Sequence, residues 1–263
     1  MGSLAGLRSA LAFLTVLRVA PHDGGAADGA GWIGWAPVVG LGLGGAAAAL
    51  LAAVRGLSED PYQQLLGSAL VIAALAVVTR GLHLDGLADT ADGLGAAGSG
   101  ADRGLAAMRD PGLGAFGASA LMLVLLVDVT ALWQTITVER GSVAIAAAVM
   151  TGRVALLWGT RAGVAPARTD GLGSSLIGRT PPSAALIATA VTAALAAAAG
   201  DVDDGGGLHG SAHAAIAVLA GIATAVALRR RAQRRLGGVT GDVLGAMAEV
   251  ATAAVLVVMA YDI

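Results

Sequence analysis

The stretch WIGWAPVVGLGLGGAAAALLAAV, residues 32–54, carries no charged side chain. At 1.5 Å per residue it is long enough to cross the roughly 30 Å hydrocarbon core of a bilayer as one helix. Further stretches of the same kind follow at about 62–82, 113–136, 141–160, 183–200, 211–229 and 243–260, each needing the roughly 20 apolar residues of a span. Composition agrees with this reading. Charged residues make up 13% of the 263 positions and mean hydropathy is +0.78. A soluble chain needs about 25% charged residues to cover its surface. Ala and the 40 Gly supply the small side chains that let lipid-embedded helices approach closely. The expected fold is therefore all-α: a polytopic membrane helix bundle of about seven transmembrane helices, forming one integral membrane domain over residues 1–263. The earlier apolar stretch, Leu4 to Ala20, holds Arg8 and Arg18 and lacks a small-residue cleavage pattern. It reads as an interfacial amphipathic helix rather than a signal peptide.

All 16 basic residues are Arg, and their placement sets the expected orientation. With the amino terminus inside, 13 of them fall on the cytoplasmic side and only Arg55 and Arg140 outside, Arg153 lying within a span. The acidic loop 201–210 and the carboxyl terminus then lie outside. Trp32, Trp35, Tyr62, Trp133, Trp158 and Tyr261 sit near span ends, where amphipathic rings prefer the interface. A net charge of −2 argues against nucleic acid as a partner, and the absence of Cys against a disulfide scaffold. Membrane lipid is the expected surrounding, and homo-oligomerisation is left open.

Chemistry is expected where polar residues gather at the cytoplasmic face. The densest group is Arg80-Gly-Leu-His83-Leu-Asp85-Gly-Leu-Ala-Asp89-Thr-Ala-Asp92-Gly93. Carboxylates at i, i+4 and i+7 fall within an arc of roughly 60° on a helix. Like charges so placed repel by a few tenths of a kcal/mol per pair in water, and by more when partly desolvated. One or two divalent cations would neutralise Asp85, Asp89 and Asp92. Mg2+ is favoured, because a carboxylate-and-water site beside a phosphate is its usual setting. The alternative is a set of solvated loop acids or helix caps. His83 is a candidate ligand or proton acceptor, or simply an interfacial residue.

Downstream, Asp102, Arg103, Arg109 and Asp110 precede a Pro-Gly break. Guanidinium forks suit phosphate oxygens, so Arg103 and Arg109 are candidate clamps, with positive-inside topology as the plainer explanation. The run Arg229-Arg-Arg-Ala-Gln-Arg-Arg-Leu-Gly-Gly-Val-Thr240-Gly-Asp242 places a hydroxyl and a carboxylate on backbone flexible enough to approach a phosphate or its metal. Glu249 lies at i+7 from Asp242, on nearly the same stripe. Intramembrane ionisable groups are costly and functional by default, which also singles out Asp128 and Arg153; an interhelical ion pair would account for those two.

LHLDGLADTADG at 82–93, DRGLAAMRDPGLGAFG at 102–117, ARTDGLG at 167–173 and RRLGGVTGDVLGA at 234–246 together resemble the cobalamin synthase (adenosylcobinamide-GDP ribazoletransferase) family. The likeness extends to Phe13-Leu14-Thr15 and so covers nearly the whole chain. Gly112 stands where members often carry a basic residue, and the Phe-Leu-Thr segment continues Val-Leu-Arg rather than Arg-Leu-Pro. The resemblance implies a Mg2+-dependent enzyme of the cytoplasmic membrane with its active site facing the cytoplasm. It would join adenosylcobinamide-GDP to α-ribazole or α-ribazole 5'-phosphate and release GMP. On that reading Asp85, Asp89 and Asp92 hold metal, and His83 or a metal-free carboxylate serves as base. Asp242 completes the site from across the bundle. Arg80, Arg103, Arg109, Asp110, Arg153 and Thr240 are the candidate substrate contacts. Two other readings compete. The Asp85-Gly86 start resembles the CDP-alcohol phosphotransferase signature, but Ala88-Asp89 breaks it. A transporter of metal or corrinoid would use intramembrane acids too, yet its sites lie near the midplane, whereas these acids cluster at one face beside Arg.

Overall fold

A computed structural model describes residues 4–19, 31–170, 173–203 and 208–261. These form ten α-helices: α1 Leu4–Leu14, α2 Ala36–Arg55, α3 Pro61–Val78, α4 Leu82–Ala96, α5 Ala101–Ala107, α6 Ala115–Thr137, α7 Gly141–Thr160, α8 Pro182–Asp203, α9 Leu208–Leu236 and α10 Gly241–Ala260. Short 3-10 turns at Gly31–Trp35 and Ala97–Ser99 complete the helical set among the described residues, which contain no strand. Seven helices, α2, α3 and α6 to α10, are long and apolar enough to cross a membrane, so the chain is a polytopic helix bundle as expected. Their starts are written in the sequence. Asp60 caps α3 by accepting from the N–H groups of Tyr62 (2.9 Å) and Gln63 (3.1 Å), and Pro61 stands at its first turn. Thr240 caps α10 through the Val243 N–H at 3.2 Å.

The second span ends at Val78, earlier than the expected 82, because Arg80 (φ 58°) and Gly81 (φ 65°) both take the left-handed conformation. For Arg80 this costs about 1–2 kcal/mol, and the corner has a use. It redirects the chain into α4 and lets the Arg80 guanidinium donate to the carbonyls of Phe13 (2.8 Å) and Ala12 (3.3 Å), which close α1. The Val16 N–H donates to the Val78 carbonyl at 2.7 Å. The amphipathic helix expected over Leu4 to Ala20 is α1, which stops at Leu14 where the chain is pinned to the α3–α4 corner; Ala20 lies outside the described residues, as does Asp204 of the expected acidic loop.

Helix α7 runs through the middle, buried along almost its whole length against α2, α8, α9 and α10. Gly40 and Gly44 of α2 make the close approach possible, since a Cβ at Gly44 would stand 2.8 Å from the Ala146 carbonyl oxygen. Successive spans alternate in direction. One end of the bundle gathers α1, α4, α5, the 161–181 segment and the α9–α10 turn. The opposite end carries the Arg55–Glu139 ion pair at 2.6 Å. The ion pair expected between Asp128 and Arg153 is not formed. Both residues, with Glu249, instead line a small cavity between α3, α6, α7 and α10. Arg153 rises from the buried helix α7, which packs far more extensively against α10, the helix of Glu249, than against α6.

Candidate active site

Two helices far apart in sequence meet face to face at the crowded end. On α4, Gly86 leaves room for α10: a Cβ there would lie 2.6 Å from the Asp242 carbonyl oxygen and 3.1 Å from its Cα. On α10, Gly245 returns the favour, where a Cβ would stand 3.2 Å from the His83 Cα. This contact brings Asp242 beside the acidic face of α4. A cavity of about 270 Å3 opens there, with His83, Asp85, Thr240 and Asp242 in its wall. Phe13 and Leu14 at the end of α1, and Trp32 and Ile33 of the following turn, close its other side.

The segment after α7 supplies a third wall. It is tied down by backbone bonds, Ala167 N–H to the Val239 carbonyl (2.9 Å) and Val239 N–H to the Ala165 carbonyl (3.0 Å). The glycines of the 237–241 turn serve this packing. Gly238 lies against the Pro166–Ala167 backbone, and Gly173 would place a Cβ 2.6 Å from the Gly241 nitrogen. Glycine there was expected to admit a phosphate; what it admits is a second loop. That loop carries Arg168 and Asp170 into the cavity wall. Arg168 donates to the Leu105 carbonyl at 3.3 Å, and Arg109 donates through Nη2 to both oxygens of Asp170, at 2.9 and 3.1 Å. Neither Arg168 nor Asp170 was assigned a role from the sequence, although the ARTDGLG motif that holds them was visible.

Asp85, Asp89 and Asp92 do share one face of α4. Asp89 sits half-buried among them. Burial, then the charges of Asp242, Asp85 and Asp92, push its carboxyl up from 3.8 to about 6, against the opposing pull of Arg168. Asp92 is committed elsewhere: its oxygens accept the N–H groups of Gly114 and Gly117, each at 2.9 Å. It thereby caps α6 from another helix, satisfying first-turn donors and complementing the positive end of the dipole. A Cβ at either glycine would collide with that carboxylate, which accounts for the Gly-x-x-Gly spacing. His83 is buried, and its Nδ1 has no hydrogen-bond partner. Burial, and secondarily the Arg153 charge, hold its imidazole well below the usual range, so it is neutral.

The remaining candidates are dispersed. Thr240 donates to Asp242 Oδ2 at 3.2 Å. Arg80 is spent on α1. Arg103 is exposed on α5, Arg109 is paired with Asp170, and Asp110 closes a turn on the Gly112 N–H at 2.9 Å. Arg153 lies in the deeper cavity with Asp128 and Glu249.

Among the described residues no three His, Cys, Asp or Glu side chains converge into a metal cage. The expected three-carboxylate site is not closed, since Asp92 faces backbone amides. What is present is Asp85 and Asp242 on the cavity wall, with Asp89 beside them, raised by burial and by their charges. That donor set fits Mg2+, which is usually held by one or two carboxylates, with waters and substrate phosphate oxygens filling its octahedron.

Residues 6–260 match the cobalamin-5-phosphate synthase family. An adenosylcobinamide-GDP ribazoletransferase of Frankia casuarinae is 44% identical over 87% of this chain and 84% of its own. Those of Chlorobium phaeovibrioides and Bradyrhizobium diazoefficiens are 34% and 37% identical, covering 94% and 98% of this chain and 93% and 94% of their own. No solved structure gives a significant match. The match spans both glycine-mediated partners, α4 and α10, and every helix between them, so the chain belongs to the cobalamin-5-phosphate synthase family.

Proposed function

We propose that this chain is an adenosylcobinamide-GDP ribazoletransferase that works at the cytoplasmic face of the cell membrane with Mg2+. A ribose hydroxyl of α-ribazole, or of its 5'-phosphate, attacks the phosphorus attached to cobinamide. The new P–O bond forms as the bond to the GMP phosphate breaks, and the hydroxyl proton passes to a base. The observation that carries the reading is the meeting of Asp85, Arg168 and Asp242 around one cavity at one end of the bundle, with Asp89 near enough to feel the charges of all three. Asp85, Asp89 and Asp242 are the residues that would hold Mg2+. When bound, the ion supplies positive charge to the diphosphate oxygens and to the departing phosphate. Arg168, held half-buried by the Leu105 carbonyl, orients the diphosphate with its remaining donors. Asp92 keeps α6 against α4 and so fixes the acidic face. Neutral His83 orients a hydroxyl rather than removing its proton, because a charged imidazole there is costly; a carboxylate free of the ion takes the proton. The deciding experiment incubates purified protein with adenosylcobinamide-GDP and α-ribazole, with and without Mg2+. Cobalamin and GMP in equal amounts, only with Mg2+, support the reading, and their absence ends it.

The raised Asp89 carboxyl sets a pH dependence. Mg2+ must displace its proton below about pH 6, so the half-activating Mg2+ concentration should rise by up to about tenfold per pH unit below that point and stay level above pH 7. For the metal-free protein the sign is opposite to that of a salt-bridged acid. Between 3.8 and about 6 the folded chain holds a proton that the unfolded chain has lost, so this group's contribution to stability falls as pH rises through the window. Metal activation independent of pH from 5 to 7 would remove Asp89 from the ion's surroundings.

Orientation is testable in a chain with no Cys. In intact cells an impermeant thiol reagent should label Glu59→Cys, at the end with Arg55 and Glu139, and leave Ser99→Cys, beside α4, unlabelled until the membrane is permeabilised. The reverse pattern would place the cavity outside, away from a GDP-activated substrate.

A further inference from the structure

We propose that the apolar side of the cavity is the subsite for the aromatic base of the acceptor nucleoside, with Phe13 and Trp32 as the residues that select it; this rests on the transferase reading. The chain is poor in aromatic residues, with 2 Phe, 4 Trp and 2 Tyr, yet one Phe and one Trp face this cavity together. Their ring centroids lie 4.6 Å apart with planes inclined at 39°. Docking of α1 does not require this pair at the cavity. Trp35 already packs beneath α1, where a Cβ at Gly6 would stand 2.9 Å from its Nε1, and Arg80 pins the helix end.

The chemistry of the wall discriminates between the acceptor's base and the guanine of the donor. Around the aromatic pair stand Leu14, Ile33, Leu82, Leu156 and Leu176, none of which offers a side-chain donor or acceptor. Guanine has a rim of hydrogen-bonding groups, and in such surroundings they would be left unpaired. The benzimidazole of α-ribazole carries methyl groups and a largely apolar rim, with a single ring nitrogen as acceptor, and so loses far less there. It also presents a flat face to stack on Trp32 or Phe13. Asp85, Asp242 and Thr240 line the same cavity, so a base held by the aromatic pair keeps its ribose in one space with them. Size adds a second constraint. About 270 Å3 lies just below the roughly 300–1,000 Å3 of small-molecule sites, enough for a nucleoside and too little for a corrin ring. The macrocycle therefore stays outside the cavity and sends only its phosphate arm in.

The test separates the two substrates kinetically. Phe13→Leu and Trp32→Leu keep apolar volume and remove the stacking face. Each should raise the KM for α-ribazole roughly tenfold or more, the effect of losing a base–aromatic stack, while the KM for adenosylcobinamide-GDP stays within about twofold. Trp32→Phe should restore most of the loss. A rise in the donor KM instead, or no change in either, overturns the proposal. Binding is read separately from turnover, by quenching of tryptophan fluorescence with α-ribazole alone. Quenching should occur in the wild type, not with GMP, and be lost in Trp32→Phe. A wild type that is quenched but makes no product refutes the transferase reading and upholds the subsite. One that turns over, with acceptor KM and quenching indifferent to Trp32, refutes the subsite and leaves the transferase.

Discussion

Asp89→Asn is expected to lower turnover by about two to three orders of magnitude, the scale of losing one preorganised electrostatic element, while the protein remains inserted and folded. The amide keeps the shape of the carboxylate and removes the charge that Asp85 and Asp242 share with it. Folding should improve slightly if it changes at all, because Asn relieves a repulsion that raises the native carboxyl. Asp92→Ala should behave differently despite lying on the same helix face. It strips two 2.9 Å hydrogen bonds from the first turn of α6, and buried amides left without a charged acceptor cost about 1–3 kcal/mol. Its activity loss should therefore follow thermal instability in detergent and recover in part on cooling. Equal stability of the Asp89 and Asp92 variants, with equal loss of activity, would show that all three acids act directly on the reaction.

The largest structural effect should come from a methyl group. Gly86→Ala places a Cβ 2.6 Å from the Asp242 carbonyl oxygen, and both neighbours are helical backbone that cannot rotate away. Helices α4 and α10 must separate, at a cost of about 1–3 kcal/mol for overpacking, and the carboxylates on the two helices part with them. Turnover should fall below measurement. Gly42→Ala on α2 is the control, since a Cβ there meets nothing within 4 Å. Comparable thermal midpoints and turnover for the two variants would show that the α4–α10 contact does not set the site.

The seven spans and the acidic face of α4 were legible because both are local. Hydrophobic length shows wherever lipid is the solvent, and helical periodicity alone puts Asp85, Asp89 and Asp92 together. What the letters hid was which neighbour each polar group would meet. Asp92 looked like the equal of Asp89, and the difference lies in Gly114 and Gly117 of another helix. Arg168 passed as one more positive-inside residue, since the backbone bonds that carry its loop over the α10 turn join positions some 70 apart. Arg153 resembled a phosphate ligand by charge, but its place on the most buried helix puts it in the deeper cavity.

The cavity takes Phe13 and Leu14 from the first described helix and Thr240, Asp242 and Leu244 from the last. The cavity therefore lacks one wall until the last helix is made. Until α10 is made, the carboxylates of α4 have no Asp242 beside them. Only when α10 inserts does the Gly86–Gly245 seam close and draw those charges together. A chain released before α10 would lack Thr240, Asp242 and Leu244 of the cavity wall, and with them the juxtaposition on which the proposed transfer rests.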